Sequence, residues 1–335
     1  MLRAPRPQGS ARRRGGQGAA PRAGAGELPV DWPAVQAEAP DRRALVVANP
    51  VSGRGKGESV ARELCTGLEG SGLEVELVLT RKAGEARARV AALDPGVELV
   101  VSVGGDGTLR EILTGLRERP AGAPVVRVGV LPQGTGNALC ADLGLPRDVE
   151  GSLAILLGGK TVETDVADVN GELCFLITGV GPDAQVVQDV DRRRRGHALT
   201  KWSYFPAAWR AFWSWRQAPL TVELDGEPLA GRYSQVLASN LIHYGGLVKL
   251  CPGRVLDDGQ FEVFLFPDGG RWRLLRYTLR TLLRRVPGGP VEMRRARRIR
   301  VTSAEPVPYH VDGDPMGRTP VEIEVTGLRF QLLVP

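Results

Sequence analysis

The sequence predicts an α/β N-terminal domain, a doubly wound parallel sheet of the phosphofructokinase/NAD-kinase type, followed by a mostly antiparallel β-sandwich domain. Two observations carry this reading. Apolar runs at 44–48, 99–103 and 125–131 each end in a glycine-rich loop that leads towards a helix-like pattern, and repeated strand–loop–helix units imply a parallel sheet with ligand loops at its strand ends. From about Val162 the texture changes to short alternating segments punctuated by Asn170-Gly171, Asp225-Gly226 and Asp258-Gly259, as in antiparallel strands joined by tight turns. A chain of 335 residues has room for two domains and an ample core.

Charge is distributed unevenly. The net +6 comes from Arg3, Arg6, Arg12, Arg13, Arg14 and Arg22, which leave 38 bases against 38 acids in the rest of the chain. Within that neutral body, residues 271–300 hold eleven arginines against Glu292 alone. The longest apolar runs fall far short of the roughly 20 residues that span a bilayer, which excludes an integral helical membrane protein. Cys65, Cys140, Cys174 and Cys251 are scattered, and the histidines are His197, His243 and His310. No zinc-type spacing exists among them. The cysteines read as small buried hydrophobes suited to a reducing cytoplasm.

Residues 1–40 are rich in Arg, Pro, Gly and Ala without an apolar period, so they are expected to be a disordered basic extension. They lack the apolar core of a secretory signal. An unstructured extension or an over-early start codon is favoured over an organellar transit peptide.

Strand 44–48 leads into Asn49-Pro-Val-Ser-Gly-Arg-Gly-Lys-Gly57, which opens a helix to about residue 68. This loop fits neither P-loop nor dinucleotide spacing; alone, it reads equally as a phosphate cradle or a solvated loop. Residues 75–80 alternate as a strand and 84–93 read as a helix. The central stretch runs Leu99-Val-Val-Ser-Val into Gly104, Gly105, Asp106, Gly107 and Thr108, then Leu109, Ile112, Leu113 and Leu116 at helical spacing. Glycines tolerate positive φ and let backbone approach a ligand. Thr108 is placed to cap the helix, whose N-terminus favours phosphate, and Asp106 can orient a metal or receive a proton. Strand 125–131 ends in Pro132-Gln-Gly134-Thr135-Gly-Asn137. Two phosphate-grade loops on one sheet edge point to a nucleotide site. Further strands are expected at 162–169, 174–178, 220–224, 235–240, 261–266, 298–302, 320–325 and 329–334.

In combination these motifs resemble the diacylglycerol kinase catalytic-domain family, whose relatives include bacterial lipid kinases, sphingosine kinases and ceramide kinases. The resemblance rests on Asn49-Pro50 with its glycine loop, Gly104-Gly-Asp-Gly-Thr108 with Glu111, and Leu131-Pro-Gln-Gly-Thr-Gly-Asn137. It continues through Gly179-Val-Gly-Pro-Asp-Ala184, Lys201 to Tyr204, Asn240, Asp257-Asp-Gly259 and Val311-Asp-Gly-Asp314, across about 41–335. The Gly104 motif alone is shared with NAD kinases and resembles the phosphofructokinase loop. The Pro132 loop and the later Asp-Gly motifs separate the lipid kinases from both.

The resemblance implies an ATP-binding domain at 41–161 and a β-rich lipid-binding domain at 162–335, with lipid entering near their cleft. It implies nucleotide contacts by Thr80, Gly104, Gly105, Asp106, Gly107, Thr108, Gly134, Thr135 and Asn137, with Asn49 beside the phosphates. It also implies Mg²⁺ at Asp258, helped by main-chain oxygens near Val255 and Gln260. Asp314 stands where bacterial members carry a glutamate that takes the lipid hydroxyl proton. Asp is one methylene shorter, so either a water intervenes or Asp106 is the base. Ala138 follows Asn137 where many members have Asp, as in the sphingosine kinase version. Phosphoryl transfer needs positioned phosphate-binding backbone, Mg²⁺ and a carboxylate near the hydroxyl, and the chain supplies each.

Residues 201–216 hold Trp202, Trp209, Trp213 and Trp215 with Tyr204, Phe205 and Phe212. Such rings suit a membrane interface or acyl pocket, or equally cover a core. Trp272, Leu275, Leu279, Leu282 and Val286 form a helical stripe with Arg273, Arg276, Arg280 and Arg284 on another face. A helix packed on its domain with solvated arginines is favoured over one lying on anionic lipid. Arg192–Arg195 is expected to be an exposed loop. No nucleic-acid module accompanies the arginines. The expected protein is an ATP- and Mg²⁺-dependent lipid kinase, cytoplasmic and peripheral at the inner membrane surface, with a homodimer left open. The rivals are an NAD kinase-like enzyme and a nucleotide-binding membrane regulator without turnover.

Overall fold

The computed structural model describes residues 43–194, 209–210, 213, 218–241, 243–244, 248–249, 255–283 and 288–335. The basic extension at 1–40, His197, Cys251, Arg195 and most of 201–216 lie outside them.

From Arg43 the chain alternates strand and helix: β1 (Arg43–Ala48), a four-residue turn α1 (Ser52–Gly55), α2 (Gly57–Gly70), β2 (Glu74–Leu79), α3 (Glu85–Ala91), β3 (Leu99–Gly104), α4 (Asp106–Arg117), β4 (Arg127–Pro132), α5 (Ala138–Leu143) and α6 (Val149–Gly158). The strands are parallel, in the order β2-β1-β3-β4. β1 and β3 are apolar at nearly every position because helices cover both their faces. Val46, Val101 and Val103 pack with Ala61, Leu64 and Leu68 of α2. Leu45, Val47 and Val100 pack on the other face with Ala86 and Val90 of α3 and Ile112 of α4. The strand order reverses between β1 and β3. At such a switch point a crevice opens beyond the carboxyl ends of the strands, where Asn49 and the Gly104 loop begin.

The second half contains β5 (Lys160–Val169), β6 (Glu172–Cys174), β7 (Ile177–Val180), α7 (Pro182–Arg194), β8 (Leu220–Leu224), β9 (Glu227–Pro228), β10 (Tyr233–Ser239), β11 (His243–Tyr244), β12 (Val248–Lys249), β13 (Phe261–Pro267), α8 (Arg271–Leu282), β14 (Glu292–Ala296), β15 (Arg298–Ser303), β16 (Pro308–Val311), β17 (Asp314–Arg318) and β18 (Val321–Val334). Its strands pair antiparallel, apart from the contact of β18 with β4. The fold class is the one the sequence predicts. Asn170-Gly171, Asp225-Gly226 and Asp312-Gly313 all take positive φ, the geometry of two-residue hairpin turns that match strand twist.

Several elements differ from expectation. The segments 320–325 and 329–334 are one strand, β18, bulged between Val325 and Arg329. Gln331 and Leu332 pair in parallel with Arg127 and Val128, so the chain's last strand adds a fifth member to the first domain's sheet. The segment 174–178 divides into β6 and β7. Arg192 belongs to α7 rather than to a loop. Among the described side chains of α8, Tyr277 is buried, while Trp272, Leu275 and Leu279 of the expected packing stripe are exposed. The two domains are fused by packing: Leu109 and Leu113 of α4 and Leu139 of α5 share one core with Leu173, Phe175, Phe264 and Phe330.

Candidate functional site

The loops after β3 and β4 meet backbone to backbone. The amides of Gln133 and Gly134 both donate to the carbonyl of Gly104, at 2.7 and 3.1 Å. A Cβ on Gly134 would fall on the Cα of Gly105, so that position has no room for a side chain. Gly104, Gly105 and Gly107 do not take positive φ, which corrects one expectation: at Gly105 and Gly134 glycine serves close approach, not turning. Asn137 is in the left-handed region, with its side chain bridging both backbone groups of Gly134.

The first loop joins them. Gly53 donates to the carbonyl of Gln133 at 2.8 Å. Asn49 leaves β1 beside β3, its amide on Val103, and its side chain accepts from the amide of Val51. Thr80 hydrogen-bonds to Ala48 next door. Thr135 is exposed at the tip of its loop. Gly105 is the residue before α4, and no side chain caps that helix. Thr108 therefore sits within the first turn rather than at the cap, leaning over Gly104. The open amides of that turn and the positive end of the helix dipole remain available to an anion.

The carboxylates converge on α4. Asp106 accepts from the amide of Ala138 at 3.1 and 3.2 Å, at the start of α5. Burial pushes its carboxyl above the usual aspartate range; the Ala138 amide works against this, and the charge of Asp312 adds to it. Four residues on, hence on the same helix face, Arg110 pairs with Asp314 at 2.9 Å and donates to the carbonyl of Val311 at 3.2 Å. The β16–β17 turn of the second domain is thus held against the nucleotide-type loops of the first.

Two further anchors fix that turn. Asp312 is half-buried and accepts from the amides of Phe175, Leu176 and Ile177 at 2.9–3.2 Å. Burial raises its carboxyl, offset by those amides and by Arg110. His310 meets Asp183 of α7 at 3.1 Å and lies 3.4 Å from the Gly313 amide. Glu111, part of the expected family motif, accepts from the amides of Gly84 and Ala86 at the start of α3. Its role here is structural. Arg110, Asp183 and His310 were missed as site residues in the sequence, although Arg110 stands two residues past the Gly104 motif, Asp183 lies within the Gly179–Ala184 string and His310 directly precedes Val311.

Asp258 is held by a separate set of contacts. Arg329 bridges the Asp165 carboxylate, at 3.0 Å, and the Asp257 carbonyl, while Asp165 accepts from the Gly259 amide. Asp258 itself accepts from the Gln260 amide and pairs with Arg295 at 3.7 Å. Val255 is exposed at the edge of this loop. Among the described residues no group of three or more His, Cys, Asp or Glu side chains could enclose a metal ion. One carboxylate with main-chain oxygens fits a hard cation that keeps most of its water, as Mg²⁺ does. Asn240, also in the quoted strings, is buried and donates to the carbonyl of Asp165, supporting the same loop from beneath. Trp209 and Trp213 are exposed and form an edge-to-face pair at 5.8 Å. Among the described residues no helix is long and apolar enough to cross a membrane.

Comparison with known proteins bears on the family and the fold. The family profile for the diacylglycerol kinase catalytic domain matches residues 43–169, and that for the YegS C-terminal NAD kinase beta sandwich-like domain matches residues 177–334. Relatives named diacylglycerol kinase include one from Bacillus subtilis, 27% identical over 288 residues, covering 84% of this chain and 92% of that one. Another, from Staphylococcus carnosus, is 26% identical over 281 residues, covering 83% and 90%. A solved diacylglycerol kinase structure from Bacillus anthracis shares the fold, with a TM-score of 0.70 at 22% identity over 88% of this chain and 97% of that one.

Proposed function

Because the chain belongs to the diacylglycerol kinase catalytic-domain family, we propose that it transfers the γ-phosphate of ATP to a lipid hydroxyl, on diacylglycerol or a sphingoid-type lipid. The observation that carries this reading is the Arg110–Asp314 contact, which seats an acidic turn of the second domain on the helix that begins at the glycine loops. Phosphoryl transfer depends on positioning and on neutralising charge rather than on a covalent intermediate. The open amides at the start of α4 and in the Pro132 loop suit the phosphates, and Arg110 supplies a cation beside them. The proton of the acceptor hydroxyl goes to Asp106 or Asp314. Burial favours Asp106, since a carboxyl raised above the usual range is the better base near neutral pH. Asp258, with main-chain oxygens near Val255 and Gln260, would hold Mg²⁺, which when bound supplies positive charge. The lipid acceptor implies work at a membrane surface, on the cytoplasmic face.

The test is incubation with labelled ATP, Mg²⁺ and a total lipid extract, with Asp106→Asn and Asp314→Asn alongside. One labelled lipid, lost in either variant, names the substrate. No labelled lipid despite measurable ATP binding would overturn the reading in favour of a regulator without turnover.

A further inference from the structure

Helix α8 is amphipathic in an unusual sense: its apolar stripe points away from the protein. Trp272 is 70% exposed, Leu275 44%, Leu279 54% and Leu283 54%. The amide of Leu283 still bonds to Leu279, so the stripe is continuous through that residue. At about 100° per residue these four fall within an arc of roughly 80°, and Tyr277 lies about 160° from its centre. Tyr277 is the anchor. It is 1% exposed, its hydroxyl donates to the carbonyl of Pro267 at 2.9 Å, and its ring packs edge-on against Phe266 at 5.5 Å. The helix is thus fixed by one face while the opposite face presents tryptophan and leucine to solvent.

Charge narrows what can cover that face. Arg273, Arg276 and Arg280 flank the stripe on one side, and residues 271–291 contain six arginines and no acid. We propose that α8 seats the protein on an anionic bilayer, with Trp272, Leu275, Leu279 and Leu283 in the interface and the exposed Arg276 at the lipid phosphates. The purpose of such a seat rests on the lipid-kinase reading. Basic amphipathic helices bind lipid in this way through buried apolar area and attraction to anionic headgroups. Tryptophan, with one apolar and one polar side, suits the headgroup level. A second copy of the chain is the poorer occupant. A two-fold contact through this face would bring its arginines towards their own copies, and four side chains of one helix fall short of the about 800 Å² per partner usual in a stable dimer.

The test is sedimentation of the full chain with vesicles of phosphatidylserine and phosphatidylcholine, and of phosphatidylcholine alone. Neither contains diacylglycerol or a sphingoid base, so binding is read without turnover. Wild type should sediment with the anionic vesicles. Leu275→Ser with Leu279→Ser, and separately Arg276→Glu, should each weaken this roughly tenfold or more, with unchanged thermal unfolding. Quenching of tryptophan fluorescence by brominated lipid should fall in Trp272→Phe. Anionic vesicles that leave wild type in the supernatant, or bind the double serine variant equally, would overturn the proposal. So would a wild-type dimer in light scattering that the double serine variant dissociates. Lipid phosphorylation in detergent micelles is scored separately: its absence, with vesicle binding intact, would sink the kinase reading while supporting the docking face.

Discussion

Arg110 of α4 and Asp314 of the β16–β17 turn pair across the two domains, Nη2 to Oδ2, at 2.9 Å. The same guanidinium donates to the Val311 carbonyl, so one side chain fixes both strands of the acidic turn. A flexible contact would leave Asp314 free to swing away from the glycine loops; a two-point contact does not.

Arg110→Met should therefore lower lipid phosphorylation by roughly 10- to 100-fold, the usual worth of a hydrogen bond to a charged group. Arg110→Lys should restore part of it, because lysine keeps the charge but not the fork that reaches both acceptors. Steady-state kinetics on the two variants decide this. Equal turnover by Met and wild type would show that Asp314 needs no such support.

Asp106 makes a prediction in two opposite directions. If it is the base, Asp106→Asn should cost about 10²- to 10⁴-fold in turnover. Its carboxyl is raised in the folded protein, so the native state holds that proton more tightly than the unfolded chain. Stability from this group is thus fullest at low pH and is lost as pH rises from the ordinary aspartate range through the raised folded value. Asparagine does not titrate, so the variant should gain in unfolding temperature relative to wild type as pH rises through that window. Unfolding curves that stay parallel from pH 4 to 7 would contradict the assignment of burial as the dominant influence.

The legible parts of the fold were those where one physical cause acts on a contiguous stretch. β1 and β3 announce themselves because both faces are buried and nearly every position is apolar. Asn170-Gly171 and Asp225-Gly226 announce hairpins because few other pairs accept two positive φ values. At Asp312 and Asp314 the residues alone read as a hairpin turn, but the strands β16 and β17 beside it were not legible: Pro308, Pro315 and Gly317 break their alternation, and β16 takes its register from β7, far away in sequence. Likewise Asp312 reads locally as a turn residue, and only its reach to the amides of residues 175–177 gives it a second role. The α8 stripe was read correctly as amphipathic, but periodicity says only that two faces differ. Which one packs was decided by Tyr277.

Asp312→Asn should destabilise the fold rather than alter the chemistry directly. Both oxygens of Asp312 accept from main-chain amides, and an amide nitrogen in one of those places would face an N–H donor. Leaving a buried donor unmatched costs about 1–3 kcal/mol. Thermal or urea unfolding should show that loss, and Asp312→Asn as stable as wild type would mean the turn is held by Arg110 and His310 alone.

His310 and Asp183 act, on this geometry, as positioning residues for the same turn. With the Gly313 amide directed at Nδ1, Nε2 carries the proton and donates to Asp183. His310→Phe preserves the ring shape but loses both bonds, and should reduce turnover about tenfold with the KM for ATP unchanged; His310→Gln, which can still donate to Asp183, should recover part of it. Gly179 offers an independent route to the same pair, because it lies opposite His310 in the sheet. A Cβ on Gly179 would overlap the Asp183 carboxylate and the His310 ring, so Gly179→Ala should reproduce the turnover loss without removing any polar group. Full activity in Gly179→Ala, or a loss in His310→Phe that appears wholly in the KM for ATP, would show that the pair does not govern where Asp314 stands.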